Sequence, residues 1–176
     1  MAHDDVTRSV GACVVRAARP ADLARIWEMV LALAAYERLS HEVKGSAERL
    51  GEDLFGARPR VECLVAEREG AVVGYALFYP TYSSFHTAPM LWLEDLFVEP
   101  AVRGAGVGRA LLASLARLAL ERGCARVGWV VIDWNKPSIG FYEKAGARPA
   151  GEGWLQYGFG TEVLRALAAT AEPPGR

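Results

Sequence analysis

Apolar positions recur along the chain with two alternating periods. Residues 13–16 read as a first strand. After Pro20, residues 21–38 read as a helix, with Leu23, Ile26, Val30 and Leu33 on one face. Residues 46–54 form a shorter helical pattern, with Ser46 placed to cap it and Gly51 as a weak point. Residues 61–66 and 72–79 are strand-like and flank Glu67-Arg68-Glu69-Gly70, which predicts a hairpin. Residues 90–98 are a third strong strand. The clearest helix spans 106–122, where Val107, Leu111, Leu115 and Leu118 line one side and Gly123 stands at the expected stop. A strand at 126–132, a helix at 137–145, a strand at 154–159 and a helix at 161–169 complete the pattern. The pattern predicts one α/β (α+β) domain over 10–170, with a mixed, mostly antiparallel sheet and helices on both faces. Residues 1–9 and 171–176 are expected to be tails.

Composition narrows the function classes. The chain has 176 residues, 52% hydrophobic and 23% charged, which supports a real core. A formal charge of -1 gives no footprint for nucleic acid or an anionic membrane. No apolar run is long enough to span a bilayer, and the polar start lacks the apolar stretch of a secretion signal. Cys13, Cys63 and Cys124 lack metal-ligand spacing and read as thiols of a reducing, cytoplasmic compartment. His3, His41 and His86 are isolated, so no metal site is expected.

The strongest chemical signal is Arg103-Gly104-Ala105-Gly106-Val107-Gly108-Arg109, which leads from a strand into a helix. Glycines let backbone amides approach an anion. A helix start adds unpaired N–H groups and a positive dipole end, and the arginines add charged donors. A diphosphate cradle follows from these properties. The dinucleotide fingerprint fails, because counting from Gly104 or Gly106 its last position falls on Arg109 or Leu111. A P-loop fails for want of Gly-Lys-Ser/Thr. A ligand-free glycine turn is the bland alternative.

The spacing Arg103-x-x-Gly106-x-Gly108 resembles the cofactor motif of the GNAT superfamily of N-acetyltransferases. The resemblance extends over most of the chain, and Asp133-Trp134-Asn135-Lys136-Pro137-Ser138-Ile139-Gly140-Phe141-Tyr142 is similar to the family's second cofactor segment. Ala35-Tyr36-Glu37, Cys63-Leu64-Val65-Ala66-Glu67, Thr81-Tyr82, Leu93-Glu94-Asp95 and Glu152-Gly153-Trp154 resemble diamine (spermidine/spermine) and thialysine N-acetyltransferases most closely. The resemblance implies acetyl-CoA as cosubstrate, with no metal. It places Leu96, Phe97 and Val98 on the pantetheine arm, Arg103 to Arg109 on the diphosphate, and Asn135, Pro137 and Ser138 beside the arm. It implies a small cationic amine, lined by Tyr36, Glu37, Glu94, Asp95, Gly128, Trp129, Val130 and Glu152, and a homodimer.

Glu94 lies in an otherwise apolar run, which favours a role as base or amine ligand over an edge carboxylate. In a regular pleat Glu94 and Asp95 point to opposite faces. Tyr142 alone would read as core packing beside Phe141; the resemblance makes it the general acid. No cysteine has a nucleophile's context, so direct attack is expected. Many diamine acetyltransferases carry Asp after Thr-Tyr, whereas Ser83 stands here. That favours a substrate with one amine and its own carboxylate, such as thialysine. A peptide N-acetyltransferase and a non-catalytic acyl-CoA-binding module are the alternatives.

Overall fold

A computed structural model describes residues 8–10, 13–149 and 159–169. They divide into two compact units, Met1–Gly146 and Ala147–Arg176. In the second, α5 (Thr161–Ala168) is the one regular element among the described residues. Most of the expected strand at 154–159, and Glu152, lie outside the described residues; Phe159 is exposed and in no regular element.

The first unit is built on a six-stranded sheet in sequence order: β1 (Arg8–Val10), β2 (Cys13–Ala17), β3 (Glu62–Arg68), β4 (Ala71–Ser83), β5 (Ala88–Val98) and β6 (Val127–Gly128). Neighbours are antiparallel except β5 and β6, which are parallel. The mixed, mostly antiparallel sheet therefore stands as expected. The β3–β4 turn is tighter than the four residues expected. Glu69 and Gly70 both take positive φ, 53° and 78°, the geometry that closes a two-residue hairpin. Residues 8–10, assigned largely to a tail, form β1 by pairing with β2.

Helices cover both faces. On one, α3 (Val107–Glu121) lays Val107, Leu111 and Leu115 against Leu64, Phe78, Leu91 and Leu93. On the other, α1 (Leu23–Tyr36) and α2 (Ala47–Phe55) bring Ile26, Met29 and Leu54 onto Val65, Tyr75, Leu77 and Phe97. Ser46 caps α2 as its position predicts, accepting from the Arg49 amide at 3.3 Å. The strand expected at 126–132 is a correction. Only Val127 and Gly128 pair, with Leu91 and Trp92. The β-branched residues that follow have strand propensity but no ladder to join.

The entry to α1 is fixed by a partly buried ion network. The Arg16 guanidinium donates to both Asp22 oxygens at 2.7 and 3.0 Å and to Glu67 at 3.0 Å. Asp22 also accepts from the Arg19 amide at 2.7 Å. The Arg16 hydrogen bond holds the Asp22 carboxyl below the usual carboxylate range, outweighing burial. A lowered folded-state pKa stabilises above the unfolded value, and that stability fades as pH falls through the folded one. Asp22→Asn is expected to lose about 2–3 kcal/mol at neutral pH. Urea unfolding should show the gap to wild type closing as pH drops through the carboxylate range.

Candidate active site

The register of β4 against β5 slips once. Leu77 pairs with Asp95 and Phe78 with Leu93, so Glu94 is an extra residue without a partner. This bulge changes the faces that the sequence predicts. Leu91 and Leu93 face α3, and so do Leu96 and Val98, a step of three where a regular pleat allows two. Glu94 and Asp95 do not point to opposite faces: both lie on the side of Tyr75 and Tyr79.

The two carboxylates differ in setting. Glu94 is exposed, and its Oε2 accepts from the Tyr79 hydroxyl at 3.2 Å and the Trp92 indole at 3.0 Å. Asp95 accepts from the hydroxyl of fully buried Tyr75 at 3.0 Å. Burial, opposed by that hydrogen bond and aided by the charges of Glu94 and Glu37, pushes the Asp95 carboxyl up to about 6. Glu37, which follows the last residue of α1, is also raised by burial. Tyr142, in α4 (Lys136–Lys144), is pushed up to about 12 by burial and by the Glu37 and Asp95 charges. Its ring packs on Trp129 and Phe141, at centroid distances of 5.0 and 5.2 Å. Glu37, Asp95 and Tyr142 thus form one electrostatic cluster, with the tyrosine held protonated at neutral pH.

A cleft of about 460 Å³ opens beside this cluster. The second half of β5 forms one wall, through Leu96, Phe97 and Val98. Among the described residues these have no strand partner on the β6 side, because that pairing ends at Trp92 and Gly128. The glycine loop forms the floor. Gly104 and Gly106 take φ of 82° and 85°, which a side chain makes costly. Gly108 serves differently: a Cβ there would stand 3.2 Å from the Phe141 ring, so its absence lets α3 and α4 close together. Among the described residues no side chain caps α3, and its first backbone bond runs from the Ala110 amide to Gly106. The amides of residues 106–109 therefore remain available to an anion.

Tyr36 ties the cleft together. Its hydroxyl donates to Asn135 Oδ1 at 3.0 Å, and Arg103 stacks over its ring at 5.3 Å while donating to the Val98 carbonyl at 2.9 Å. Asn135 is also the N-cap of α4, accepting from the Ser138 amide at 3.3 Å. Tyr36 thus sits at the cleft, and Glu37 next to it at the carboxylate cluster.

Arg109 and Pro137 line the cleft, whereas Ala105, Asn135 and Ser138 are not on its wall. Trp129 meets Tyr142, and Gly128 lies against Trp92, but Val130 is 62% exposed. Sequence reasoning missed Leu33, Val102, Lys144 and Ala145 in the cleft wall, and Phe141, seen only as Tyr142's neighbour. It also missed Tyr75, Tyr79 and Trp92, which hold the carboxylates. Tyr75 and Tyr79 are four apart in a strand, a same-face spacing that was the available signal.

Comparison with known proteins follows the same outline. The family model described as "Acetyltransferase (GNAT) family" matches residues 27–147. Thialysine N-epsilon-acetyltransferase of Mus musculus is 40% identical, with 88% of this chain and 96% of the relative covered. Spermidine/spermine N(1)-acetyltransferase-like protein 1 of Homo sapiens is 33% identical over 88% of this chain, but only 23% of its own length. Among solved structures, an integron cassette protein from the mobile metagenome of V. cholerae superposes with a TM-score of 0.75. It is 22% identical, with 92% of this chain and all of that one covered, and supports the fold alone.

The Tyr36–Asn135 bond joins α1 to α4. Tyr36→Phe keeps the ring under Arg103 and is expected to cost about 1 kcal/mol. Asn135→Ala, which also removes the cap, should cost about 2 kcal/mol. A double-mutant cycle by denaturant unfolding checks that the two effects overlap.

Proposed function

Because the chain belongs to the acetyltransferase (GNAT) family of enzymes, we propose that it transfers an acetyl group from acetyl-CoA to a primary amine of a small cationic molecule by direct attack. The observation that carries this reading is the meeting of a carboxylate–tyrosine cluster with the anion-receptive cleft at β5. The free amides at the start of α3, with Arg103 and Arg109 beside them, fit a diphosphate. The edge at residues 96–98, without a strand partner on the β6 side among the described residues, fits an amide-bearing arm laid alongside it. When bound, acetyl-CoA supplies the activated acetyl group.

The chain's own residues do the rest. Glu94 offers an exposed carboxylate fixed through one oxygen, suited to drawing in an ammonium. An alkylammonium has a pKa near 10, so a carboxylate must take its proton before attack. Tyr142 remains protonated and can donate to the departing sulfur. Residues 128–130 supply Trp129 against Tyr142, and Glu37 adds negative charge at the amine side. A lysine-like amino acid such as thialysine is the substrate we favour. Where related diamine enzymes have Asp, Ser83 stands here, its Oγ 2.9 Å from His86 Nδ1, and a serine offers no charge to hold a second amine. Homodimeric assembly belongs to the same proposal and rests on family resemblance, whereas a single domain rests on the apolar pattern, its start moved to Arg8 by β1, and a cytoplasmic location on the cysteines.

Thiol release from acetyl-CoA with thialysine, lysine, diamines and peptides is the test. Turnover is expected with the small amines, thialysine leading; turnover with peptides alone would reverse the assignment. Tyr142→Phe should lower kcat at least about 100-fold while leaving CoA affinity unchanged. Gly106→Val, strained by its positive φ, should weaken CoA binding at least about tenfold in calorimetry.

A further inference from the structure

Arg103 turns its side chain back onto the strand that precedes it. Its Nε donates to the Val98 carbonyl at 2.9 Å. Its guanidinium lies over two rings, 5.3 Å from the Tyr36 centroid and 5.6 Å from that of Phe97. The Tyr36 ring is itself fixed by the hydroxyl bond to Asn135 at 3.0 Å. Arg103, Tyr36, Phe97 and Val98 all line the one cleft. No carboxylate pairs with Arg103 among the described residues.

The direction of the Val98 carbonyl follows from the peptide plane. The Glu99 amide donates to the Val73 carbonyl at 2.9 Å, on the β4 side. In a trans peptide the C=O of one residue and the N–H of the next point opposite ways. The Val98 carbonyl therefore points away from β4, to the edge without a strand partner on the β6 side among the described residues. The Phe97 carbonyl faces β4 instead: a Cβ added at Gly74 would stand 2.8 Å from it. An extended arm laid along residues 96–98 needs the outward carbonyl for its amide. In the ligand-free protein Arg103 already holds it.

On the reading that acetyl-CoA is the acyl donor, we propose that Arg103 is a latch that selects the donor by its diphosphate. Closed, the side chain covers the strand edge that the arm needs. It opens when an anion at the start of α3 offers the guanidinium a better partner.

A carbonyl oxygen accepts two bonds, so the obstacle is the guanidinium over the cleft wall rather than the oxygen's capacity. The ring faces of Tyr36 and Phe97 hold the cation there. A neutral arm must displace it without compensation. A diphosphate compensates, because a guanidinium bonds a phosphate through two parallel N–H groups and opposite charge, whereas it holds Val98 through Nε alone. Arg103 stands in the loop that leads to Gly106, the N-cap of α3. Opening is then a change of one side chain's rotamers, with no movement of the fold. The residue acts as a specificity determinant: thioesters with an arm but no diphosphate meet a closed latch.

Binding of the two halves of the donor tests this. The probes are CoA, pantetheine (the arm without the diphosphate) and inorganic diphosphate, measured by calorimetry. In the wild type, saturating inorganic diphosphate should tighten pantetheine at least about threefold. Arg103→Ala should bind pantetheine at least about threefold tighter than wild type does, with no further effect of diphosphate. The same variant should bind CoA at least about tenfold more weakly. A plain phosphate contact would weaken CoA and leave pantetheine unchanged, so the opposite signs distinguish the two. A misfolded variant would weaken both probes, and the coupling in the wild type then decides alone. Pantetheine binding that neither diphosphate nor Arg103→Ala tightens overturns the latch while the acetyl-CoA reading stands. CoA that fails to bind the wild type overturns that reading and the latch with it.

Discussion

The insertion of Glu94 between the paired residues Leu93 and Asp95 governs the rest of the site. Up to Leu93, β5 turns its odd-numbered residues toward α3; after the bulge it turns its even-numbered ones. Asp95 and Phe97 are thereby delivered to the α1 side, where Tyr75 awaits. A bulge also bends its strand and strengthens its twist. The pairing of β5 with β6 stops at Trp92, two residues before the insertion, and the edge beyond it forms the cleft wall. One extra residue thus turns a half-buried carboxylate toward the α1 side, next to a strand edge that has no partner among the described residues.

The end of α1 joins these two halves. Tyr36 reaches the cleft through Arg103 and Asn135, while Glu37 acts on Asp95 and Tyr142. Successive helical residues are rotated by about 100°, so neighbours in sequence can serve different sites. The position of that helix end is set far away by the Arg16–Asp22–Glu67 network at the start of α1 and by Ile26 and Met29 in the core. Such a link means that disturbing α1 alters both cleft and carboxylates together, whereas Tyr79 and Trp92 hold Glu94 directly.

What the sequence made legible was local. The glycine loop depends on residues a few positions apart, so its spacing identified it. Helix boundaries followed from Ser46, Gly123 and apolar periodicity. The bulge was harder to read because Trp92 and Phe97 are apolar as well, which hides the shift from Leu91 and Leu93 to Leu96 and Val98. The adjacent carboxylates in that run marked the break in alternation, but they read as functional residues rather than as a change of register. The strand at 126–132 failed for the opposite reason: its composition favoured a strand, and the long-range pairing that a strand needs ends after two residues. The same-face spacing of Tyr75 and Tyr79 was legible, but a buried tyrosine in a strand is ordinary, and only the register of β4 against β5 brings the Tyr75 hydroxyl to Asp95.

Charge follows the same local logic. The whole chain carries only -1, so its net field does little to steer a cation or an anion. Charge is instead sorted along β5 and the loop that follows it: carboxylates at Glu94 and Asp95, then Arg103, the glycine-loop amides and Arg109. Positive charge is favoured at one end of that stretch and negative charge at the other, a polarity that the net charge of a nearly neutral protein conceals. Half-buried Asp95 is raised first by desolvation and further by its two acidic neighbours, a setting in which a nearby positive charge would lower it again.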